Sequence, residues 1–426
     1  MVCCAYSSQR KWVPVPPTAL ALVVAVMIAG PARGQSGEPI KIGYSMSLTG
    51  GLAPNGKSAL LAQRIWEEET NAKGGMLGRP VKLVYYDDKS SPSEVPPIYT
   101  KLLDVDKVDL IIGAYGTALT APAMPIVIQR KKTLIGLLAL AANSQFNYGN
   151  YFVMIPSGPE AKPAFTKGFF DAALRQYPKP QNVAIVAADQ EFSRNAADGA
   201  RENATRNGLK LVYERTYPPA TADFSPIVRA IAATNPDLVV ICSYPPDSVG
   251  IVRAVNELGF KPKAIGGAMV GLQSTAMKVQ LGPLLNGFIN YEFWLPVTKL
   301  QYPGVADLIS RYQARAASEG VDPLGYYMPP WAYAQLQVLQ QAVEATKTLD
   351  DAKIGDYIRA HPFRTVVGDV RFGAEGEWAQ SRVLQVQYRN ISGHDVAQFR
   401  DMSTQVVVAP AEYASGEVIY PYEKAK

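Results

Sequence analysis

The sequence predicts an α/β protein built from two doubly wound parallel-sheet lobes, and two observations lead to this fold class. From residue 39 onward, short runs of apolar, β-type residues alternate with segments of helical periodicity. Strands that are apolar throughout and joined through helices are typical of parallel sheets covered on both faces. The alternation also falls into two blocks, residues 40–156 and 157–291, and two such blocks predict two lobes.

In the first block, strands are predicted at residues 40–48, 81–86, 110–113 and 133–138, and helices at about 57–71 and 117–129. Pro122 and Pro125 fall in the first turns of the second helix, where a missing backbone donor costs least. The strand at 110–113 therefore leads through a short loop into a helix that begins near Thr117.

The second block repeats this order. Strands are predicted at residues 183–188, 210–217, 237–242 and 263–267, and helices at 194–207, 225–234 and 247–258. Ligands of open α/β sheets bind at the carboxyl ends of the strands, so the loops that follow these strands are the candidate binding surface.

The last third has too little strand for a third sheet. Residues 303–359 are mostly helical, with helices at 308–318, 333–346 and 354–359, and strand-like pieces return at 365–372 and 382–388. This part is expected to complete the two lobes, joined by a multi-crossover hinge. We expect residues 35–157 and 292–377 to form the N-terminal lobe, residues 158–291 and 378–405 the C-terminal lobe, and residues 406–426 a C-terminal tail.

Residues 1–34 are typical of a signal peptide. A polar stretch ends at Arg10 and Lys11, an apolar stretch covers residues 19–30, and small residues precede Gln35, the expected new N-terminus. The apolar stretch is shorter than the ~20 residues that span a bilayer, so a retained anchor is the weaker alternative. The sequence predicts export to the periplasm, with no membrane insertion after signal cleavage.

Charge and cysteine content exclude several classes of partner. The formal net charge is +5, and residues 1–34 hold three bases and no acid, which leaves +2 for the rest. A nearly neutral body gives no electrostatic reason to bind nucleic acid or an anionic membrane. Cys3 and Cys4 lie in the predicted signal, so Cys242 is alone in the mature chain and is expected to be buried. We expect a monomer.

One motif suggests a nucleotide site, which we reject. Residues 51–58, GLAPNGKS, satisfy the phosphate-loop pattern between a strand and a helix. However, Pro54 removes a backbone donor from the middle of the loop, and an exported protein meets no ATP pool. The glycines have a simpler role in a tight turn and close helix–sheet packing.

Other catalytic signals are weak. The sequence has two histidines, His361 and His394, without a zinc or esterase motif around either. Asp87 and Asp88 are expected to cap neighbouring loops rather than to hold a metal. We therefore expect no enzyme, no cofactor and no metal, and an exported hydrolase that uses one of the histidines remains the alternative from another class.

Several motifs together resemble the leucine/isoleucine/valine-binding proteins of bacterial ABC importers, which have the type I periplasmic binding protein fold. Each motif is weak alone, but their order and spacing are specific, and the resemblance runs from about residue 39 to residue 395. The motifs are IKIGYSMSLTG at 40–50, NAKGG at 71–75, YDD at 86–88, DLIIG at 109–113, DFSPIV at 223–228, NPDLV at 235–239 and TVVG at 365–368.

The resemblance implies a two-lobed clamp that holds a small molecule between its lobes and, when closed, presents a surface to an inner-membrane permease. The amides of a helix N-terminus would bind the ligand carboxylate, and other side chains would form the walls. By position, the implied ligand-binding residues are Thr117 and Ala118 at the helix start, Ala139, Leu140 and Ala141 on the adjacent loop, Phe192, Tyr244 and Ala268 on the second lobe, and Tyr115 and Tyr327 as further walls.

Three departures from the family pattern bear on the ligand. The amino-acid binders have a threonine at the position of Ala141, a tyrosine at that of Phe192, and at that of Ala268 a glutamate that pairs with the ligand ammonium. An ammonium buried without its partner costs roughly 3–5 kcal/mol. The sequence therefore predicts a small amine-free acid with an apolar or aromatic body. Binding of leucine, isoleucine or valine, and a sensing role in place of transport, remain alternatives.

Overall fold

The structure is a computed structural model that describes residues 37–426 together with Met1, Ala5, residues 7–9 and residues 11–12. Most of the predicted signal peptide, including its apolar stretch and the expected cleavage point, lies outside the described residues. In the part of the chain that is described, no helix is long and apolar enough to cross a membrane.

The first sheet has three parallel strands in the order β2-β1-β3. A parallel pair, β4 and β5, extends this layer, because the Gly113 and Gly116 amides donate to carbonyls of β4 at 2.8 Å. The strands are β1 (Ile40–Met46), β2 (Val81–Asp87), β3 (Leu110–Ile111), β4 (Leu134–Leu137) and β5 (Tyr151–Met154).

The helices around this layer are α1 (Ala53–Ala72), α2 (Val95–Asp104), α3 (Thr117–Thr120) and α4 (Met124–Gln129). Pro54 lies in the first turn of α1. A Cβ atom on Gly56 would stand 1.9 Å from the Ser47 carbonyl oxygen, so the glycine permits close packing of α1 against the loop after β1. This packing accounts for the second glycine of the phosphate-loop pattern.

The second sheet has seven strands in the order β14-β13-β10-β9-β8-β6-β7. Five of them run parallel, whereas β13 pairs antiparallel with both β10 and the edge strand β14. The strands are β6 (Asn182–Ala188), β7 (Lys210–Tyr217), β8 (Leu238–Ser243), β9 (Ala264–Met269), β10 (Ile289–Glu292), β13 (Leu384–Tyr388) and β14 (Gln405–Ala409). The helices beside it are α5 (Ala161–Leu174), α6 (Glu191–Arg206), α7 (Ser225–Ala232), α8 (Pro245–Glu257) and α9 (Thr275–Leu281).

These sheets confirm the predicted α/β fold class and correct it in two details. The second sheet is mixed at one edge rather than wholly parallel. The segment predicted as a tail, 406–426, contributes β14 to that edge, and Tyr422 packs against Phe288 with ring centroids 5.5 Å apart. A short apolar run such as QVVVA can pair with a strand far away in sequence, and its local pattern does not show which one.

The last third joins the first layer and then returns to the second. Its helices are α10 (Val305–Glu319), α11 (Met328–Thr346) and α12 (Asp351–Ala360), followed by a hairpin of β11 (Phe363–Thr365) and β12 (Gly368–Val370). Gln335 of α11 donates to the Ile135 carbonyl of β4 at 2.6 Å, which ties α11 to the first layer. The chain thus crosses between the two layers after β5, after β10 and before β13, as the predicted multi-crossover hinge requires.

Candidate functional site

A narrow pocket lies between the two sheets, with walls contributed by both and a cavity volume of about 30 Å³. This volume is below the range of small-molecule sites in proteins, so a ligand of that size needs the two walls to move apart. Its walls are formed by Leu52, Tyr115, Gly116, Thr117, Ala118, Leu138, Ile155, Phe165, Phe192, Tyr244, Val270, Tyr291, Phe293 and Tyr327.

The first-lobe wall is built on the connection from β3 to α3. Gly116, at φ 85°, occupies the left-handed region that glycine adopts without strain, and the helix starts at the next residue. Within the described chain, the backbone N–H groups of Thr117 and Ala118 donate to no protein acceptor. The first N–H groups of a helix lack intrahelical partners, so these two donors are open to an anion.

The loop after β4 differs from the expectation. Leu138 lines the pocket, whereas Ala139, Leu140 and Ala141 are buried outside its wall. Leu138 has a φ of 51°, which turns the chain at the strand end and directs the following residues away. The Thr117 hydroxyl accepts the Leu140 N–H at 2.9 Å, so this hydroxyl positions the loop.

The second-lobe wall contains two of the predicted side chains. Phe192, at the start of α6, and Tyr244, directly before α8, both line the pocket. Ala268 does not, because it lies inside β9 with no exposed surface, and Val270, just after the strand, faces the pocket instead. The residue that faces the pocket at this wall is thus apolar.

The most extensive part of the wall is aromatic, and the sequence identified only part of it. Tyr115 and Tyr327 were predicted, whereas Phe165, Tyr291 and Phe293 were not. Phe165 lies 5.2 Å from Phe192 and 4.6 Å from Tyr291 between ring centroids, so the rings form a continuous surface. Phe165 belongs to α5, Tyr291 lies in β10 and Phe293 directly follows that strand, and no local sequence signal brings these segments together.

Among the described residues, none that lines the pocket carries a charged side chain. The polar groups are backbone amides, the Thr117 hydroxyl and four tyrosine hydroxyls. Burial raises the pKa of Tyr115 to about 12, although a hydrogen bond from Asn55 at 2.8 Å opposes the shift, and burial raises the pKa of Tyr244 further. The wall is therefore neutral at physiological pH, and it holds no nucleophile paired with a base.

Outside this pocket, a wider space opens that shares Leu52, Ala118 and Tyr244 with it. Charged side chains first occur there, at Glu191, Arg194 and Asp247. Burial raises the pKa of both acids, and Arg194 forms its ion pair with Asp189 at 2.8 Å rather than with either of them. Among the described residues that line these two spaces, the charged side chains belong to the wider one.

Two hydrogen-bonded contacts connect elements of the two layers near the pocket. The Asn195 side chain of α6 donates to the Leu140 carbonyl at 3.1 Å. Asp322, between α10 and α11, accepts the amide and the hydroxyl of Thr275 at 2.7 and 2.8 Å. Leu140 therefore contacts both Thr117 and Asn195, which links the start of α3 to the opposite lobe.

The residues of the rejected functions lie elsewhere. His361 and His394 are exposed and bond to carbonyls of Tyr357 and Val279. Asp88 accepts the Ser47 hydroxyl at 2.6 Å in the loop-capping role expected of it. Within the described residues, no group of three or more His, Cys, Asp or Glu side chains could hold a metal ion.

Comparisons with known proteins show the family to which this chain is similar. A family profile described as "Periplasmic binding protein" matches residues 39–394. The Leu/Ile/Val-binding protein of Escherichia coli (strain K12) is 24% identical over 344 residues, covering 80% of this chain and 88% of that protein.

Two solved structures share the fold. The branched-chain amino acid transporter substrate binding protein of Streptococcus pneumoniae, in complex with isoleucine, has a TM-score of 0.69 at 18% identity and covers 90% of this chain and 100% of its own. A solute binding protein of an ABC transporter from R. palustris, in complex with 4-hydroxybenzoate, has a TM-score of 0.68 at 20% identity and covers 84% and 94%. One of these ligands carries an amine and the other does not.

Proposed function

Because the chain belongs to the periplasmic binding protein family, we propose that it captures a small amine-free acid for a branched-chain-amino-acid-type ABC uptake system. Members of this family are substrate-binding proteins rather than enzymes. The proposed site of action is the periplasm, where the liganded protein would dock as a monomer on an inner-membrane permease.

The neutral wall of the pocket carries this proposal. A zwitterionic amino acid brings a carboxylate and an ammonium, and each needs a partner once water is excluded. An ammonium without a carboxylate beside it costs roughly 3–5 kcal/mol, which lowers affinity by a factor of several hundred or more. Val270 occupies the second-lobe wall, and no lining side chain among the described residues is acidic.

The carboxylate end of the ligand is assigned to the first lobe. The open N–H groups of Thr117 and Ala118 offer two parallel donors, and hydrogen bonds to an ionised acceptor are about twice as strong as neutral ones. The aromatic surface around Phe165, Phe192 and Tyr291 suits an apolar or aromatic body. The R. palustris neighbour, solved with 4-hydroxybenzoate, supports an acid without an amine within this fold.

Closure of the lobes would couple binding to transport. A ligand that contacts both walls favours the closed form by its difference in affinity for the two forms. The Asn195–Leu140 hydrogen bond is a contact that such closure would make. We place the moving boundaries at the three crossings, in keeping with lobes of residues 35–157 plus 292–377 and 158–291 plus 378–405, the second extended by β14.

The test is titration calorimetry of the purified mature protein with leucine, valine, benzoate and 3-phenylpropanoate. The proposal expects at least one of the two amine-free acids to bind, with both amino acids much weaker. Tight binding of leucine or valine would refute the assigned ligand class and leave the fold and family intact.

A further inference from the structure

The tyrosine hydroxyls in the pocket have more protons to donate than the hydrogen bonds among them can use. Asn55 donates from Nδ2 to the Tyr115 hydroxyl oxygen at 2.8 Å, so the Tyr115 proton must point elsewhere. The hydroxyls of Tyr291 and Tyr327 lie 3.2 Å apart, and only one of them can donate to the other. Hydrogen bonds among the hydroxyl groups of Tyr115, Tyr291 and Tyr327, the hydroxyl trio, therefore use at most two of the three hydroxyl protons.

Tyr244 adds a further hydroxyl on the opposite wall. Its oxygen is buried and lies near the Phe192 N–H, and its proton has no acceptor in the described chain. Its ring packs edge-on to Phe192 at 6.1 Å, which fixes the side chain against the aromatic surface. A buried hydroxyl proton without an acceptor is unfavourable unless a bound molecule or water supplies one.

The two walls therefore offer donors to the two ends of one ligand. The Thr117 and Ala118 amides lie on the first lobe, whereas Tyr244 lies on the second. A ligand that held only a carboxylate would make its polar bonds on the first lobe alone. A second oxygen that reaches Tyr244 would bind the second lobe as well, and it would favour the closed form directly.

We propose that the ligand is an aromatic acid that carries an oxygen substituent, a hydroxyl or alkoxyl group on its ring, and that Tyr244 binds this oxygen. Tyr291, at the edge of the hydroxyl trio, is the second candidate donor. This inference rests on the proposed function, since it presupposes an amine-free acid between the lobes.

Matched ligand pairs test it by calorimetry on the mature protein. The pairs are benzoate with its 3- and 4-hydroxy derivatives, and 3-phenylpropanoate with 3-(4-hydroxyphenyl)propanoate. We expect at least one hydroxylated acid to bind about tenfold tighter than its parent, which is the effect of one buried hydrogen bond. In Tyr244→Phe, the ratio of the affinities of the hydroxylated acid and its parent should fall to about one. If Tyr291 is the donor instead, that ratio should fall to about one in Tyr291→Phe.

Tyr151→Phe is the matched control, because Tyr151 is fully buried with an unpartnered hydroxyl but lies outside the pocket wall. It should leave the ratio at its wild-type value. Equal affinity of every hydroxylated acid and its parent, or a preference that survives in both Tyr244→Phe and Tyr291→Phe, would overturn the inference while the proposed function stands. Failure of all the acids to bind would overturn both.

Discussion

Two regions on opposite sides of β10 differ in charge: one is the neutral pocket, and the other is a buried ion pair. Tyr291 and Phe293 face the neutral pocket, whereas Glu292 between them faces the other side. There, Lys278 approaches Glu292 at 3.2 Å and donates to the Gln405 side chain at 2.6 Å. Lys278 and Glu292 are only 2% and 1% exposed.

Both regions are buried, so burial alone does not explain why the pocket is neutral. The pocket is neutral because of the side chains that line it. This protein buries a carboxylate where it also supplies an ammonium to pair with it, and the Gln405 side-chain oxygen accepts a further hydrogen bond from that ammonium. It supplies no such group to the pocket, so a charged group that enters must find its partners among backbone amides and hydroxyls. The amides are donors and the hydroxyls carry no negative charge, so these groups suit an anion better than a cation.

The largest expected effect comes from placing an acid in the neutral region. Val270→Glu puts a carboxylate beside the bound acid, so affinity for 3-phenylpropanoate should fall by about 3 kcal/mol or more, and phenylalanine should gain affinity. Val270→Gln has nearly the same volume without the charge and serves as the control. Calorimetry checks both variants, and equal losses in the two would show that size rather than charge matters.

A comparable effect on stability is expected from the charged region. Glu292→Met leaves the Lys278 ammonium buried without its carboxylate, and the free energy of unfolding should fall by about 3 kcal/mol. The double variant Lys278→Met/Glu292→Met removes both charges and should recover most of that loss. Urea unfolding measures all three proteins, and a double variant as unstable as the single one would contradict this account.

The two regions should also respond differently to pH. Burial raises the pKa of Glu292 to about 7, although Lys278 opposes the shift. The folded state thus binds this proton more tightly than the unfolded state, and stability should fall as the pH rises from about 5 to 8, on the order of 2 kcal/mol. The double variant should lack this component, whereas affinity for 3-phenylpropanoate should stay constant between pH 6 and 9.

The sequence predicts those parts of the two regions that depend on contacts between residues close together in the chain. The strand–glycine–helix connection at Gly116 is local, and Thr117 and Tyr115, both named from the sequence, line the pocket. In the neighbouring loop, residues 139–141 were expected in the wall, but Leu138 lines it instead. The positive φ of Leu138 cannot be predicted from an apolar run. Likewise β9 continues past Ala268, so Val270 reaches the pocket instead.

The remainder of the wall depends on long-range packing. Phe165 and Tyr291 are 126 positions apart in the chain, yet their rings lie 4.6 Å apart. The same holds for the partners of Lys278, since Glu292 comes from β10 and Gln405 from the edge strand. Apolar periodicity places each residue inside the protein but does not say which cavity or partner it meets.

The smallest expected effect concerns the contact between the lobes. Asn195→Ala removes the hydrogen bond to the Leu140 carbonyl, so ligand affinity should fall by about 1 kcal/mol, roughly fivefold. Asn207→Ala, at the far end of the same helix, is the control. Small-angle scattering of the liganded proteins should show a less compact Asn195→Ala variant, and identical curves and affinities would remove this residue from the closure mechanism.

The most direct measurement compares phenylalanine with 3-phenylpropanoate, which differ only by the α-ammonium group. Calorimetry on the wild-type mature protein at pH 7 should show 3-phenylpropanoate binding at least about a hundredfold more tightly. If phenylalanine bound as tightly as 3-phenylpropanoate or more so, the pocket would satisfy an ammonium after all, and the account of a site for amine-free acids would be wrong.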